Sequence, residues 1–93
     1  MDTLEARQVL AAELKTYRAK PYAELVQLRG GAIVSEQTGP SGAHYQLEVQ
    51  VMWDGQPNGA ILVIGSVDDG GWRAFIPLTE SFIKLPTGDL VGE

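Results

Sequence analysis

Residues 45–53 alternate between apolar and polar side chains, and this alternation constrains the fold more than any other feature of the sequence. The odd positions hold Tyr, Leu, Val, Val and Trp, whereas the even positions hold Gln, Glu, Gln and Met. Successive side chains of a β-strand point to opposite faces of the sheet. The segment therefore predicts a strand of an antiparallel sheet that packs one face on a core and leaves the other to solvent.

Further strands are predicted on both sides of this segment. Residues 32–37 predict a first strand that ends in a turn rich in glycine, and residues 60–67 a third strand that is apolar on both faces. Residues 72–78 begin a fourth strand, and residues 79–85 either continue it or form a short helical turn. Residues 90–91 are a candidate for a short edge strand. Because the connecting loops are short, neighbours in sequence are expected to pair as an up-and-down meander.

The region before the first strand predicts helix. Residues 3–19 carry apolar side chains at spacings of three and four, as in an amphipathic helix. Asp2 is suited to cap the N-terminus of this helix, and Glu5 to return the hydrogen bond in a capping box. Proline at position 21 should end the helix, after which residues 21–28 predict a second short helical turn, with an extended strand as the alternative.

The expected fold class is α+β. An N-terminal helix and a short second helical turn pack on one face of a four- to five-stranded antiparallel meander sheet, which gives two layers. No internal repeat, low-complexity segment or linker divides the chain, so one domain is expected to span residues 1–93.

The charge balance and the absence of cysteine narrow the classes of function. Twelve acidic residues against seven Lys and Arg give a net charge of −5, and the basic residues are scattered, whereas nucleic-acid binding depends on clustered cations. The lack of cysteine excludes disulfides, thiolate metal ligands and a cysteine nucleophile. The N-terminus lacks a signal-peptide profile, and the longest apolar run, residues 60–64, is too short to span a bilayer. We expect a cytoplasmic protein that binds neither nucleic acid nor membranes.

No set of side chains matches a catalytic, cofactor-binding or metal-binding pattern. His44 is the single histidine, and the alternation places it on the polar face with no second His or Cys to complete a metal site. Asp68 and Asp69 lack the spacing of a calcium loop, and adjacent carboxylates before two glycines are typical of a turn. We therefore predict no catalytic residues, no cofactor and no metal, and the sequence favours a protein that is not an enzyme.

The third strand carries more apolar surface than one helix can cover. One of its faces should lie under the first helix, and a large apolar patch on the other is rarely left to water on a monomer. This patch would be covered by residues 79–93 folding back, by a second copy of the chain, or by another partner. We assign this candidate interaction face to Met52, Ile61, Val63, Trp72 and Phe75.

Three hypotheses for the function follow. The leading one is a small soluble, non-enzymatic binding or regulatory module that acts through the open sheet face, with a homodimer as one form of it. The alternative is a small enzyme or ligand carrier with a pocket between helix and sheet. Its polar groups would be Tyr22, Glu24, His44, Arg73 and Glu80. A third hypothesis is an accessory protein whose acidic surface attracts a basic partner.

Overall fold

The computed structural model describes residues 2–69 and 78–92. Within these residues, two helices precede four strands: α1 (Thr3–Arg18), α2 (Tyr22–Gln27), β1 (Ala32–Thr38), β2 (His44–Trp53), β3 (Ile61–Asp68) and β4 (Leu78–Lys84). The strands form one antiparallel sheet in the order β1-β2-β3-β4. The predicted α+β fold with an antiparallel meander is confirmed.

The structure also decides between the alternatives that the sequence left open. The segment after Pro21 is helical rather than extended, as α2 shows. Residues 79–84 continue a strand rather than forming a helical turn. Leu90 forms only an isolated bridge with Lys84, so no fifth strand is present among the described residues. The predicted turn at residues 68–71 is described only in part: Asp68 is the last residue of β3, whereas residues 70 and 71 and the predicted start of the fourth strand at residue 72 lie outside the described residues.

The core lies between the two helices and one face of the sheet. Gly65 allows α1 to lie directly on β3, because a Cβ atom there would be 2.9 Å from Leu10 Cδ1 and 3.0 Å from Leu14 Cδ2. The largest fully buried side chains come from both layers: Leu10, Leu14, Leu25, Leu47, Val49, Ile61, Val63 and Val67. The odd positions of β2 thus face the core, as the alternation predicts.

Lys84, on β4 of the sheet, caps the C-terminus of α1 with its side chain. Its side chain is 6% exposed, and its Nζ donates hydrogen bonds of 2.7 Å to the carbonyl oxygens of Arg18 and of Lys20. The last carbonyls of a helix have no partner within the helix and carry partial negative charge. The ammonium group of Lys84 supplies both the missing hydrogen-bond donor and a positive charge.

Replacing this ammonium group is expected to weaken the fold. Lys84→Met keeps the length of the side chain but leaves two partly buried carbonyls without their donor, and we expect it to lower the free energy of unfolding by about 2 kcal/mol. Lys20→Met removes a surface ion pair with Glu24 of 3.0 Å and should cost less than about 0.5 kcal/mol. Urea unfolding followed by circular dichroism measures both. Equal losses would show that Lys84 does not cap α1.

Candidate interaction surface

The face of the sheet away from the helices carries a cluster of apolar side chains. Met52 pairs with Leu62, and Leu62 with Ile83, so these three lie in one row across β2, β3 and β4. Ile64 is the next residue of β3 on the same face. Directly opposed side chains in a sheet have Cβ atoms about 4.5–5.5 Å apart. Met52, Leu62, Ile64 and Ile83 therefore form one contiguous group, called here the open-face cluster.

Burial separates the two faces of the sheet clearly. All four residues of the open-face cluster are partly exposed. Along β3, buried and partly exposed residues alternate without a break, and the buried set packs under the helices. Among the described residues, α1 and α2 contribute side chains to the core on the opposite face only. In the described part of the C-terminal segment, residues 78–84 are part of the sheet and Leu90 packs against the core, and Val91 donates a 2.9 Å hydrogen bond to the carbonyl of Ile83 along the edge of β4.

The predicted placement of Ile61 and Val63 on this face is wrong. Both are 0% exposed and lie beneath the helices, because Ile61 pairs with Trp53 and Val63 with Val51. Directly paired residues share a face, so the odd positions of β3 follow the odd positions of β2 into the core. Met52 does lie on the open face.

The other two residues assigned to the candidate interaction face, Trp72 and Phe75, lie outside the described residues. Ile83 was not predicted. Because Ile61 and Val63 were assigned to the open face, strand alternation implied that Leu62 and Ile64 would lie on the helix side. The length of the loop between β2 and β3 could have located them, because it determines which residues of the two strands pair and therefore share a face.

Apart from Ala32 and Val34 on β1, the rest of the described open face is polar and acidic. Glu48 on β2 pairs with Ser66, the residue of β3 that follows Ile64 on the open face. Glu36 on β1 pairs with Gln46, which is the next residue of β2 on this face, further from Met52. No described strand residue on this face is Lys or Arg. The described cations belong to the helices, to the segments just after them, or to the buried side of β4: Arg7, Lys15, Arg18, Lys20, Arg29 and Lys84. The surface therefore has an apolar centre and one acidic end.

The opposite end of the open face adjoins a cleft that contains a cation. Gln50 and Met52 line this cleft of about 350 Å³ together with Arg29 and Trp53. The guanidinium of Arg29 stacks 4.4 Å from the centre of the Trp53 ring, and its Nε donates a 3.1 Å hydrogen bond to the carbonyl of Val26. The terminal nitrogens of Arg29 have no acceptor within the described part of the chain, so they are available to an anionic or carbonyl group of a partner.

The residues proposed for a pocket between helix and sheet do not converge. Each described one is engaged locally: Tyr22 with Gly59, Glu24 with Lys20, Glu80 with Arg18, and His44 with Thr38. His44 begins β2 and Gly59 lies beyond its end, so these contacts are about 30 Å apart at the rise of a strand. Arg73 lies outside the described residues.

Glu5 has a buried carboxylate, which was not predicted as a site from the sequence. Its Oε1 accepts hydrogen bonds from Tyr45 Oη at 2.6 Å and from Ser41 Oγ at 2.7 Å, and its Oε2 accepts one from the Ser41 amide at 2.8 Å. The predicted capping box is therefore half correct: Asp2 caps α1 through a 3.0 Å bond from the Glu5 amide, but the Glu5 side chain reaches the sheet instead.

The environment of Glu5 fits a structural role rather than catalysis. The hydroxyl of Tyr45 in the first place, and then Ser41, hold the pKa of the Glu5 carboxyl below its usual value. The same hydrogen bond raises the pKa of Tyr45 to about 12. A general base works best with a pKa near the operating pH, and both shifts move away from neutrality. Glu5 instead ties α1 to the β1–β2 turn, where a Cβ on Gly39 would lie 2.7 Å from its Cδ.

No three His, Asp or Glu side chains within residues 2–69 and 78–92 come together in a set that could hold a metal ion. Neither described helix has the length and apolar character needed to cross a membrane. Comparisons with protein-family models, with curated proteins and with solved structures found no match to this chain.

Proposed function

We propose that the protein is a non-enzymatic binding module that holds a protein partner against the open face of its sheet. The observation that supports the proposal is the open-face cluster of Met52, Leu62, Ile64 and Ile83. These side chains are apolar and partly exposed, and they are contiguous across three strands. Contiguous apolar surface of this kind typically marks an interaction site.

The charges around the cluster favour a partner of particular chemistry. Glu48 and Glu36 occupy one end of the face, and Arg29 borders the other. A partner that fits has an apolar centre, cations on the side that meets the glutamates, and an anionic or carbonyl group at the arginine. Charges arranged in this way contribute more to the orientation and the rate of association than to affinity. Most of the affinity is expected from burial of the open-face cluster.

Selection from a random peptide library, with the purified chain as target, tests this proposal. We expect the enriched peptides to combine apolar residues with Lys or Arg. Their affinity should fall at least about tenfold for Leu62→Asp, which places a charge at the centre of the cluster. It should fall less for Glu48→Lys, and binding to the wild type should weaken as salt is raised.

The control is Ala12→Asp, an equal change of charge on the exposed side of α1. It should leave the affinity of the selected peptides within about twofold of the wild type. Far-UV circular dichroism of all the variants establishes that they are folded. Peptides that bind Leu62→Asp as well as the wild type would overturn the proposal, since their site would then lie elsewhere.

A further inference from the structure

β1 is an edge strand with few of the features that normally protect such an edge from pairing. It occupies one end of the strand order and pairs with β2 alone among the described residues. Its seven residues, Ala-Ile-Val-Ser-Glu-Gln-Thr, include no Lys, Arg or Pro, and its register with β2 runs from Ala32 to Thr38 without a bulge. Val34 is 55% exposed. A regular edge of this kind is a template for pairing with another strand.

The register shows which backbone groups of β1 point away from the sheet. Gly39 donates a 2.8 Å hydrogen bond to the carbonyl of Ala43, and this pair continues the register of β1 with β2. Hydrogen-bonded and non-hydrogen-bonded pairs alternate in an antiparallel ladder. The odd positions of β1 therefore bond to β2, and the N–H and C=O groups of the even positions, 32 to 38, point outward.

We propose that two copies of the chain pair antiparallel through β1, which joins two four-stranded sheets into one of eight strands. The twofold axis passes between Ser35 and the partner's Ser35, perpendicular to the sheet. The outward groups of the even positions then bond to those of the second copy. This proposal goes beyond the function proposed above and does not depend on it.

Backbone geometry and charge select this register. Outward groups must meet outward groups, so the pairing can shift only in steps of two residues. The proposed register pairs all seven residues of β1 and sets Val34 opposite the partner's Glu36. A shift of one step that moves the axis from Ser35 to Glu36 sets Glu36 opposite the partner's Glu36, and like charges directly opposed are destabilising. One step in the other direction sets Val34 opposite the partner's Val34, and a step in either direction leaves two residues of each strand unpaired.

The helices do not obstruct this pairing. α1 packs mainly on β3 and β4, and α2 on β2 and β3. α1 also reaches β1 through Glu13, whose carboxylate accepts hydrogen bonds from Ser35 Oγ at 3.4 Å and from Gln37 Nε2 at 2.9 Å on the helix side of the sheet, whereas the outward backbone groups of β1 lie in the plane of the sheet. A twofold axis perpendicular to the sheet keeps both helical layers on one side. The two open faces then lie side by side on the other, where they form one larger surface.

A single cysteine tests the register, since the natural chain has none. Cα atoms of a non-hydrogen-bonded pair are about 4.5 Å apart, within the range of a disulfide. Ser35→Cys should therefore form a covalent dimer under mild oxidation at least about tenfold faster than Thr38→Cys, whose two copies lie at opposite ends of the paired strands. Non-reducing electrophoresis measures the rates. Equal rates would overturn the proposal.

Sedimentation of the unlabelled chain provides an independent test. We expect a reversible dimer in the micromolar range and at least about tenfold weaker association for Val34→Lys, because an edge lysine opposes strand pairing. Gln46→Lys makes the same change of charge on the same face, one strand away from the edge, and should dimerise like the wild type. Leu62→Asp should also dimerise normally, which separates the edge from the open face. A wild-type chain that stays monomeric throughout would overturn the proposal.

Discussion

Val49→Asp is expected to remove most of the stability of the protein, whereas the same substitution at the next residue should leave it nearly unchanged. Val49 is 1% exposed and pairs with Ile33 on one side and Gly65 on the other, beneath the helices. A carboxylate at this position would be desolvated without a partner, and its protonation would also cost free energy. We expect a loss of more than about 4 kcal/mol. A chain of this length has about 5–14 kcal/mol of stability in total.

Gln50→Asp is the matched control for this prediction. Gln50 is exposed on the opposite face of β2, so its replacement should cost less than about 1 kcal/mol. Urea unfolding, followed by far-UV circular dichroism and tryptophan fluorescence, measures both variants against the wild type. If Gln50→Asp proved the more damaging of the two, β2 would present its other face to the core.

The contrast between β2 and β3 shows how far the sequence alone can predict this fold. The polar residues between Tyr45 and Trp53 identify the buried face of β2 without any knowledge of its neighbours. β3 has apolar residues on both faces, so its own pattern does not say which face is buried. That depends on its register with β2, and a slip of one residue exchanges the two faces.

The face of β3 that was predicted to be buried and the face that is buried differ as if by such a slip. A strand beginning at Ala60 and paired with Trp53 places Leu62 and Ile64 under the helices. The observed pairing of Trp53 with Ile61 instead places Ile61 and Val63 there. Of the residues assigned to the interaction face, Met52 could be located correctly because it belongs to β2. The other residues of the open-face cluster can be assigned to a face only when the pairing of β3 with its neighbouring strands is known.

The contacts of Glu5 were beyond sequence reasoning for a different reason. Its partners, Ser41 and Tyr45, lie 36 and 40 positions away in the chain, whereas capping patterns describe only the neighbouring turn of a helix. A glutamate at the third position after an N-cap fits the local pattern equally well whether its side chain turns back or reaches the sheet. Only the packing of α1 against the β1–β2 turn decides between them.

Glu5→Gln should be the most damaging single change among the acidic residues described here. Two hydroxyls and one amide of Ser41 and Tyr45 donate to the carboxylate. An amide side chain offers only one acceptor oxygen and directs an NH₂ group towards donors. We expect the melting temperature to fall by about 10 °C or more. Glu24→Gln, which only weakens a surface ion pair with Lys20, should change it by less than about 2 °C.

The same hydrogen bonds make the contribution of Glu5 dependent on pH in two directions. Because the folded state lowers the pKa of Glu5 from 4.5, the stabilisation is present above that pH and is lost as the pH falls through the folded value. Because the pKa of Tyr45 rises from 10.0 to about 12, its contribution is complete below pH 10.0 and is lost as the pH rises towards about 12. The difference in melting temperature between the wild type and Glu5→Gln should therefore be largest between these limits and shrink at both extremes.

Tyr45→Phe separates the two titrations. It removes the phenol, so the alkaline loss attributable to this residue should disappear, while part of the acid loss remains because Ser41 still donates to Glu5. Thermal melts of the wild type and both variants across the full pH range measure these differences. Subtraction between variants cancels the titration of the other acidic residues and of the lysines. A difference between wild type and Glu5→Gln that stayed constant with pH would mean that the Glu5 carboxylate is not held in its charged form by these three donors.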